Sequence, residues 1–154
     1  TSTGNNNTTT NDGGFGLSNS VRGVFGTTST DKSIAYVTMA TSAAALDFGD
    51  LVTRKATYPQ AASHQTRGLI IGGSDNSEID YITIASAGNA LDFGDLRGTA
   101  NTSVAVHSST TAYINKGDDV ITMATAANAT ASGYEFDFNS KKQCVMPGWI
   151  AYNG

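Results

Sequence analysis

The sequence predicts an all-β protein made of three four-stranded antiparallel sheets. Three observations support this fold class: a tandem repeat of about 45 residues, short apolar runs separated by turn-forming clusters, and an abundance of glycine and hydroxyl-bearing residues. Charged residues make up 14% of the 154-residue chain, against about 25% in an ordinary soluble domain. Small and hydroxyl-bearing residues replace them, and these suit strands and turns better than helices.

The repeat consists of three sequence elements that recur forty-five positions further along the chain. An identical spacing across three separate elements indicates duplication of one structural unit. The elements and their second copies are Arg22–Gly26 with Arg67–Gly73, Ile34–Thr41 with Ile79–Ser86, and Leu46–Leu51 with Leu91–Leu96.

A third copy of the unit is degenerate. Val120–Thr125 matches the second element at an offset of 39, whereas Phe136–Phe138 matches the third element at an offset of 45. The two offsets predict that the first loop is shortened and that about six residues are added around Thr130–Gly133. The expected organisation is repeat 1 over 22–66, repeat 2 over 67–110, repeat 3 over 111–147, and a closing strand over 148–154.

A weaker fourth strand is expected to end each unit, at residues 57–60, 104–106 and 144–146. The single cysteine, Cys144, lies in the last of these runs and is expected to be a small buried strand residue rather than a nucleophile. Residues 1–14 contain no large apolar residue. They are predicted to form a flexible or partner-bound arm outside a single β-repeat domain over 15–154.

Alternation along the second strand predicts how the sheets pack. Large apolar residues share one face of this strand, and Thr and Ala share the other, so both faces are expected to be covered. One unit cannot bury such a sheet alone, which makes stacking of neighbouring sheets obligatory. The apolar pairs are Val37 with Met39, Ile82 with Ile84, and Ile121 with Met123.

The elements Arg67–Gly73, Ile79–Ser86 and Asn89–Leu96, with their first copies, resemble the kelch-like repeats of virion proteins from marine and cyanobacterial tailed phages. The resemblance implies blade-like sheets and a place on the capsid surface or tail fibre. Propellers need four or more blades. Three sheets therefore predict either a pseudo-threefold prism, which is favoured, or an incomplete propeller completed by neighbouring subunits in a homo-oligomer.

The most site-like motif is Asp-Phe-Gly-Asp, which contributes Asp47, Asp50, Asp92 and Asp95. Turn formation is the favoured interpretation, because Asp before Gly caps its own backbone. Calcium binding by these carboxylates is a weak alternative. No catalytic or cofactor-binding residue is predicted.

Three further groups of residues are candidates for an ion pair, a metal site and a glycan-binding surface. Arg22 and Arg67 are expected to form a structural ion pair with a motif Asp, and His64 and His107 lack partners at metal-ligand spacing. A core role is favoured for Trp149, the only Trp, and the alternative is that it belongs to a glycan-stacking surface formed by three aromatic residues. These residues are Trp149, Tyr152 and Tyr134.

The functional expectation is a non-enzymatic phage virion protein displayed on the particle surface after synthesis in the host cytoplasm, as a capsid decoration or knob-like protein. The alternatives are a tail-fibre or receptor-binding module and a carbohydrate-binding lectin, with an enzyme the weakest. Other virion proteins and a host-surface glycan are the expected partners. A formal net charge of −4 disfavours nucleic acid, and no apolar run approaches the roughly 20 residues of a membrane span.

Overall fold

The predicted fold class is confirmed: a computed structural model of the chain shows three four-stranded antiparallel sheets. Within the described residues there are twelve strands and no helix. The structure describes residues 14–27, 32–41, 43–53, 58–73, 76–99, 104–115 and 118–133.

Each sheet is a meander in which consecutive strands are hydrogen-bonded neighbours. Sheet 1 contains β1 (Gly14–Ser18), β2 (Arg22–Thr27), β3 (Ser33–Thr38) and β4 (Leu46–Asp50). Sheet 2 contains β5 (Gln60–Ser63), β6 (Arg67–Ile71), β7 (Glu78–Thr83) and β8 (Leu91–Asp95). Sheet 3 contains β9 (Ala105–His107), β10 (Thr111–Ile114), β11 (Asp119–Thr122) and β12 (Thr130–Ala131).

The sheets are offset by one strand from the units expected from the sequence. The weak fourth strands of the first two units correspond to β5 and β9, and each pairs with the strand that follows it, so it begins the next sheet. The equivalent position in sheet 1 is taken by β1, which was not predicted as a strand. A short sequence signal for this strand was present, because the apolar residues Phe15 and Leu17 alternate with Gly14 and Gly16. In the structure the two apolar side chains are buried and the two glycines are exposed.

The last strand of sheet 3 lies earlier in the chain than expected. Thr130 and Ala131 pair with Val120 and Asp119, as Leu91 and Asp92 pair with Tyr81 and Asp80 in sheet 2. The offset of 39 thus continues through this strand, and the prediction of six added residues around Thr130–Gly133 is wrong. Small polar residues concealed the strand, whereas the aromatic match at Phe136–Phe138 lies outside the described residues.

Two hydrophobic cores hold the sheets together, one for each pair of consecutive sheets. Sheets 1 and 2 enclose the first core, and sheets 2 and 3 enclose the second. The first strands lie along one side of the stack, with β1 beside β5 and β5 beside β9. The first core contains Phe15, Leu17, Val24, Ile34, Phe48, Leu51, Ile70, Ile82, Ile84 and Ala90. The second contains Ala62, Leu69, Ile71, Ile79, Phe93, Leu96, Ala112, Ile114, Ile121, Met123 and Ala129.

Sheet 2 is the only one of the three that buries both faces among the described residues. Leu69, Ile70 and Ile71 are each 0% exposed, which explains why this strand is continuously apolar rather than alternating. The expectation that both faces are covered therefore holds for the middle sheet. In sheet 1 it is wrong, because Met39, the counterpart of buried Ile84, is 62% exposed.

A closed prism would require a third core between sheets 3 and 1. The described residues form two clusters, each between consecutive sheets. Among the described residues the sheets therefore form an open row in which only consecutive sheets share a core, and the favoured pseudo-threefold prism is not observed there.

A β-bulge in the Asp-Phe-Gly-Asp motif brings each of the first two sheets against the next. In sheet 2, Ile79 pairs with Gly94 and Asp80 pairs with Asp92, so Phe93 is the extra residue, and it points into the core. Gly94 has a φ of 140°, and Gly49 occupies the same place in sheet 1 with a φ of 141°. Only glycine adopts this backbone conformation without strain.

The glycine is also required by the close approach of the next sheet. A Cβ atom placed on Gly94 would lie 2.6 Å from the backbone carbon and oxygen of Ala127. Gly49 faces Gly88 in the same way, with a distance of 2.5 Å to the carbonyl oxygen. Neither backbone can move away without breaking the contact between sheets.

We expect Gly94→Ala to lower the free energy of unfolding by about 3 kcal/mol or more, because it adds backbone strain to a steric clash. In a chain of this size the loss corresponds to a decrease in Tm of roughly 6 to 12 °C. Gly98→Ala is the matched control, since its Cβ would meet no atom within 4 Å. Thermal unfolding followed by circular dichroism measures both variants, and equal Tm values for the two would contradict the steric account.

Candidate functional site

The polar residues that the repeat preserves converge on the contact between consecutive sheets. We call the contact between sheets 1 and 2 joint 1, and the contact between sheets 2 and 3 joint 2. At joint 1, Arg22 Nη1 donates to the carbonyl oxygen of Ile84 at 2.9 Å. At joint 2, Arg67 Nη1 donates to the carbonyl oxygen of Met123 at 2.8 Å. The predicted ion pair between these arginines and a motif Asp is wrong, because the partner is the backbone of the next sheet.

An aromatic pair holds each arginine in position. The guanidinium of Arg22 lies 4.5 Å from the ring centre of Tyr36, and that of Arg67 lies 4.7 Å from the ring centre of Tyr81. Each tyrosine in turn meets the bulge phenylalanine edge to face, with ring centres 5.8 Å apart for Tyr36 with Phe48. The rings restrict the long arginine side chain and add a cation–π attraction. Arg, Tyr and Phe therefore form one layer at each joint.

Two buried aspartates make the reverse contact, from each sheet back to the one before it in the chain. Asp80 and Asp119 are each 1% exposed. Asp80 Oδ2 accepts a hydrogen bond from the backbone N–H of Val52 at 3.0 Å, and Asp119 Oδ2 accepts one from Arg97 at 3.1 Å. The donors follow the last strand of the preceding sheet. Sequence reasoning missed these residues, although an Asp between apolar residues inside a strand was the available signal.

Asparagine side chains complete each joint beside the motif. The backbone N–H of Asp50 donates to Asn89 Oδ1 at 3.1 Å, and that of Asp95 donates to Asn128 Oδ1 at 3.0 Å. The carbonyl oxygen of Asp95 also accepts from the N–H of Ala129 at 2.7 Å. The second Asp of the motif thus contributes its backbone to the joint, and the sheets are linked by main-chain hydrogen bonds as well as by apolar contact.

The motif carboxylates lie on the exterior of the stack. Asp47, Asp50, Asp92 and Asp95 are all exposed. Asp92 Oδ1 accepts from the N–H of Gly94 at 3.0 Å, as expected of an Asp that caps its own backbone, but the prediction of a turn is wrong, because the motif lies at a bulge within β8. Ser77 Oγ donates to Asp95 Oδ1 at 3.4 Å. In the part of the chain that the structure describes, no three His, Cys, Asp or Glu side chains are grouped as metal ligands. Calcium binding at this motif stays a prediction.

His64 closes a turn rather than marking a site. Its Nδ1 accepts from the backbone N–H of Thr66 at 3.2 Å between β5 and β6. In the equivalent turn of sheet 1, Asn19 Oδ1 accepts from the backbone N–H of Val21 at 2.9 Å. In that of sheet 3, Ser108 Oγ accepts from the backbone N–H of Thr110 at 3.2 Å. Three unlike residues therefore perform one capping role. His107 is exposed at the end of β9.

Several predicted residues cannot be placed in this site. Trp149, Tyr152 and Tyr134, proposed for glycan stacking, lie outside the described residues, as does Cys144. The outer face of sheet 3 contains a depression of about 330 Å³. Its lining carries only neutral hydroxyl, amide and apolar groups, from Val120, Thr122, Thr125, Ala127, Asn128 and Thr130.

Comparison of the chain with models of known protein families and with curated proteins gives no match. Across the described ranges, no helix has the length and apolarity needed to cross a membrane.

We expect Arg67→Ala to lower the free energy of unfolding by about 2 kcal/mol, because the Met123 carbonyl loses a charge-assisted hydrogen bond and two rings lose a cation–π partner. Denaturant unfolding measures the loss. Arg67→Lys is the control, and it should recover only part of the stability, since an ammonium group lacks the planar fork that stacks on the ring. A stability within about 0.5 kcal/mol of the wild type for Arg67→Ala would contradict the role of this contact.

The buried Asp119 gives joint 2 a dependence on pH. Burial raises its pKa above the ordinary value of 3.8, although the N–H and guanidinium of Arg97 act in the opposite direction and the charge of Asp118 adds to the rise. Within the described residues Asp119 Oδ1 makes no hydrogen bond, and Arg97 Nη1 lies 3.7 Å away from it. Above its raised pKa the buried carboxylate is ionised and destabilises the folded state. Acidification through that pKa removes this cost.

We expect Asp119→Asn to raise Tm at neutral pH, because the amide oxygen can keep the hydrogen bond from Arg97 without a buried charge. The gain should shrink as the pH falls and vanish below 3.8, the ordinary pKa, where Asp119 is protonated in both states. Calorimetry at a series of pH values measures the difference. The exposed Asp92→Asn variant controls for the loss of one negative charge. A lower Tm for Asp119→Asn at neutral pH would show that the Arg97 ion pair outweighs the cost of burial.

Proposed function

We propose that the protein is a non-enzymatic structural protein of a tailed phage virion, displayed on the particle surface as a capsid decoration or knob-like protein. The observation that carries the proposal is the repeat itself, whose elements around Arg67, Tyr81 and Asp92 resemble those of kelch-like virion repeats. The partners that follow from it are other virion proteins, with no nucleic acid or membrane.

A structural role is supported by the way the repeated polar groups are used. Arg22, Arg67, Asp80 and Asp119 each bind backbone of an adjacent sheet. A catalytic residue must leave its reactive atom accessible to a substrate. Because these arginine and aspartate side chains make equivalent contacts at both joints, their role is to hold the stack of sheets together.

A surface location is supported by the charge and composition of the chain. Charged residues are 14% of the sequence, and the exposed ends of strands include Ser18, Ser33, Thr83, Thr122 and Thr130. Neutral hydroxyl and amide groups remain solvated across a range of salt and pH, which suits a particle exposed to the environment.

We expect the chain to be detected by mass spectrometry in purified particles from its source, and cryo-electron microscopy of those particles to show many copies over the head. Copies confined to the tail would instead favour the tail-fibre or receptor-binding alternative. Absence of the chain from purified particles would overturn the proposal. A glycan array tests the lectin alternative separately, since no binding at high protein concentration would remove it.

A further inference from the structure

Each sheet has one face turned toward the preceding sheet in the chain, which we call its leading face, and one turned toward the following sheet, its trailing face. The leading faces of sheets 2 and 3 carry the same pattern of large apolar residues at register-equivalent positions. These residues are Ile70, Ile82 and Ile84 in sheet 2, and Ile114, Ile121 and Met123 in sheet 3.

Sheet 1 carries the same pattern on its leading face but has no sheet before it among the described residues. Phe25, Val37 and Met39 occupy these positions, and the N–H of Met39 donates to Val21 at 2.8 Å, as that of Ile84 donates to Thr66 at 2.9 Å. Met39 is 62% exposed. A terminal sheet that faced only water would be expected to carry polar residues here.

At joint 1 a protruding side chain of one sheet, which we call the knob, fills a gap beside a small residue of the next sheet, which we call the notch. Leu17 on β1 packs onto Gly68 on β6, and a Cβ on Gly68 would lie 2.6 Å from a methyl group of Leu17. At joint 2 the equivalent residues are Ala62 and Ala112, which are 1% and 0% exposed. At joint 2 the side chain at the knob position is smaller and the residue at the notch position is larger, so the combined side-chain volume of the two facing residues is roughly preserved.

The two ends of the stack carry a knob and a notch that no other sheet covers among the described residues. Val106 stands at the knob position on the trailing face of sheet 3, because it pairs with Tyr113 as Leu17 pairs with Val24, and it is 60% exposed. Gly23 stands at the notch position on sheet 1, where, among the described residues, an added Cβ would meet Met39 Sδ at 3.4 Å and Val37 at 3.5 Å. Both are ordinary contact distances, so the notch is open.

We propose that the leading face of sheet 1 binds the trailing face of sheet 3 in a second copy of this chain, with Val106 of one copy placed over Gly23 of the other. The contact is head to tail, so it uses two different surfaces of each copy. Two copies would stack six sheets, within the four to eight blades of known propellers. The inference does not depend on the proposed virion role.

The polar groups at the two ends agree with this pairing. Thr111 replaces the joint arginine on the trailing face of sheet 3, and Ala35 replaces the buried aspartate on the leading face of sheet 1. The contact therefore buries neither an unpaired guanidinium nor an unpaired carboxylate. Because it lacks the charge-assisted hydrogen bonds of joints 1 and 2, it is weaker than they are, and the association is reversible and dependent on concentration.

Sedimentation velocity of the full chain over a range of concentrations tests the proposal. We expect the wild type to associate, and Met39→Glu and Val106→Glu each to raise the dissociation constant at least about tenfold, because each places a charge in the contact. Leu91→Glu is the matched control, since Leu91 is 57% exposed on the middle sheet and lies on neither end face. Unchanged melting temperatures of the three variants would confirm that they fold.

An equimolar mixture of Met39→Glu and Val106→Glu distinguishes head-to-tail binding from pairing of like faces. One variant retains an intact trailing face and the other an intact leading face, so the mixture should form a one-to-one complex that neither variant forms alone. The proposal is overturned if the wild type is monomeric at every concentration, as it would be if another segment covered either face. It is also overturned if Val106→Glu associates as strongly as the wild type, or if the mixture stays monomeric.

Discussion

The close approach of one sheet's backbone to the next is the constraint on which the rest of the structure depends. At Gly49 and Gly94 the last strand of a sheet lies against the loop of its neighbour with no room for a Cβ atom. This spacing lets main-chain and asparagine groups reach across the joint, and it places the bulge phenylalanine in the core. A larger separation would leave the buried aspartates without their N–H donors and the arginines short of their carbonyl partners.

The joint also explains which residues the repeat preserves and which it varies. Arg, Tyr and Phe recur in sheets 1 and 2, where each sheet has a following neighbour in the stack. In sheet 3 the corresponding positions hold Thr111, Val120 and Ser132. The third copy therefore departs from the repeat at the positions that make a joint, and no further sheet of the same chain follows it among the described residues.

Periodicity made the fold class, the strand content and the apolar face of the second strand predictable from the sequence. The order of strands within a sheet was not, because hydrogen-bond pairing depends on which neighbour a weak strand such as β5 joins, and both neighbours offer similar residues. The last strand of sheet 3 was missed since Thr130 and Ala131 carry no apolar signal. The aspartates at 80 and 119 were missed because their donors lie in another sheet, and no local pattern records a contact made across the stack.

Each face of sheet 2 carries the polar and apolar groups that one side of a joint requires, so this sheet connects the other two. Its leading face accepts sheet 1, and its trailing face accepts sheet 3, through equivalent groups at both sides. Each hydrophobic core among the described residues joins two neighbouring sheets, as in repeat proteins whose stability adds up along the stack. Duplicating this one segment would lengthen the stack, and Ala62→Leu in the first copy would supply the larger side chain that the gap at Gly68 of the second copy requires.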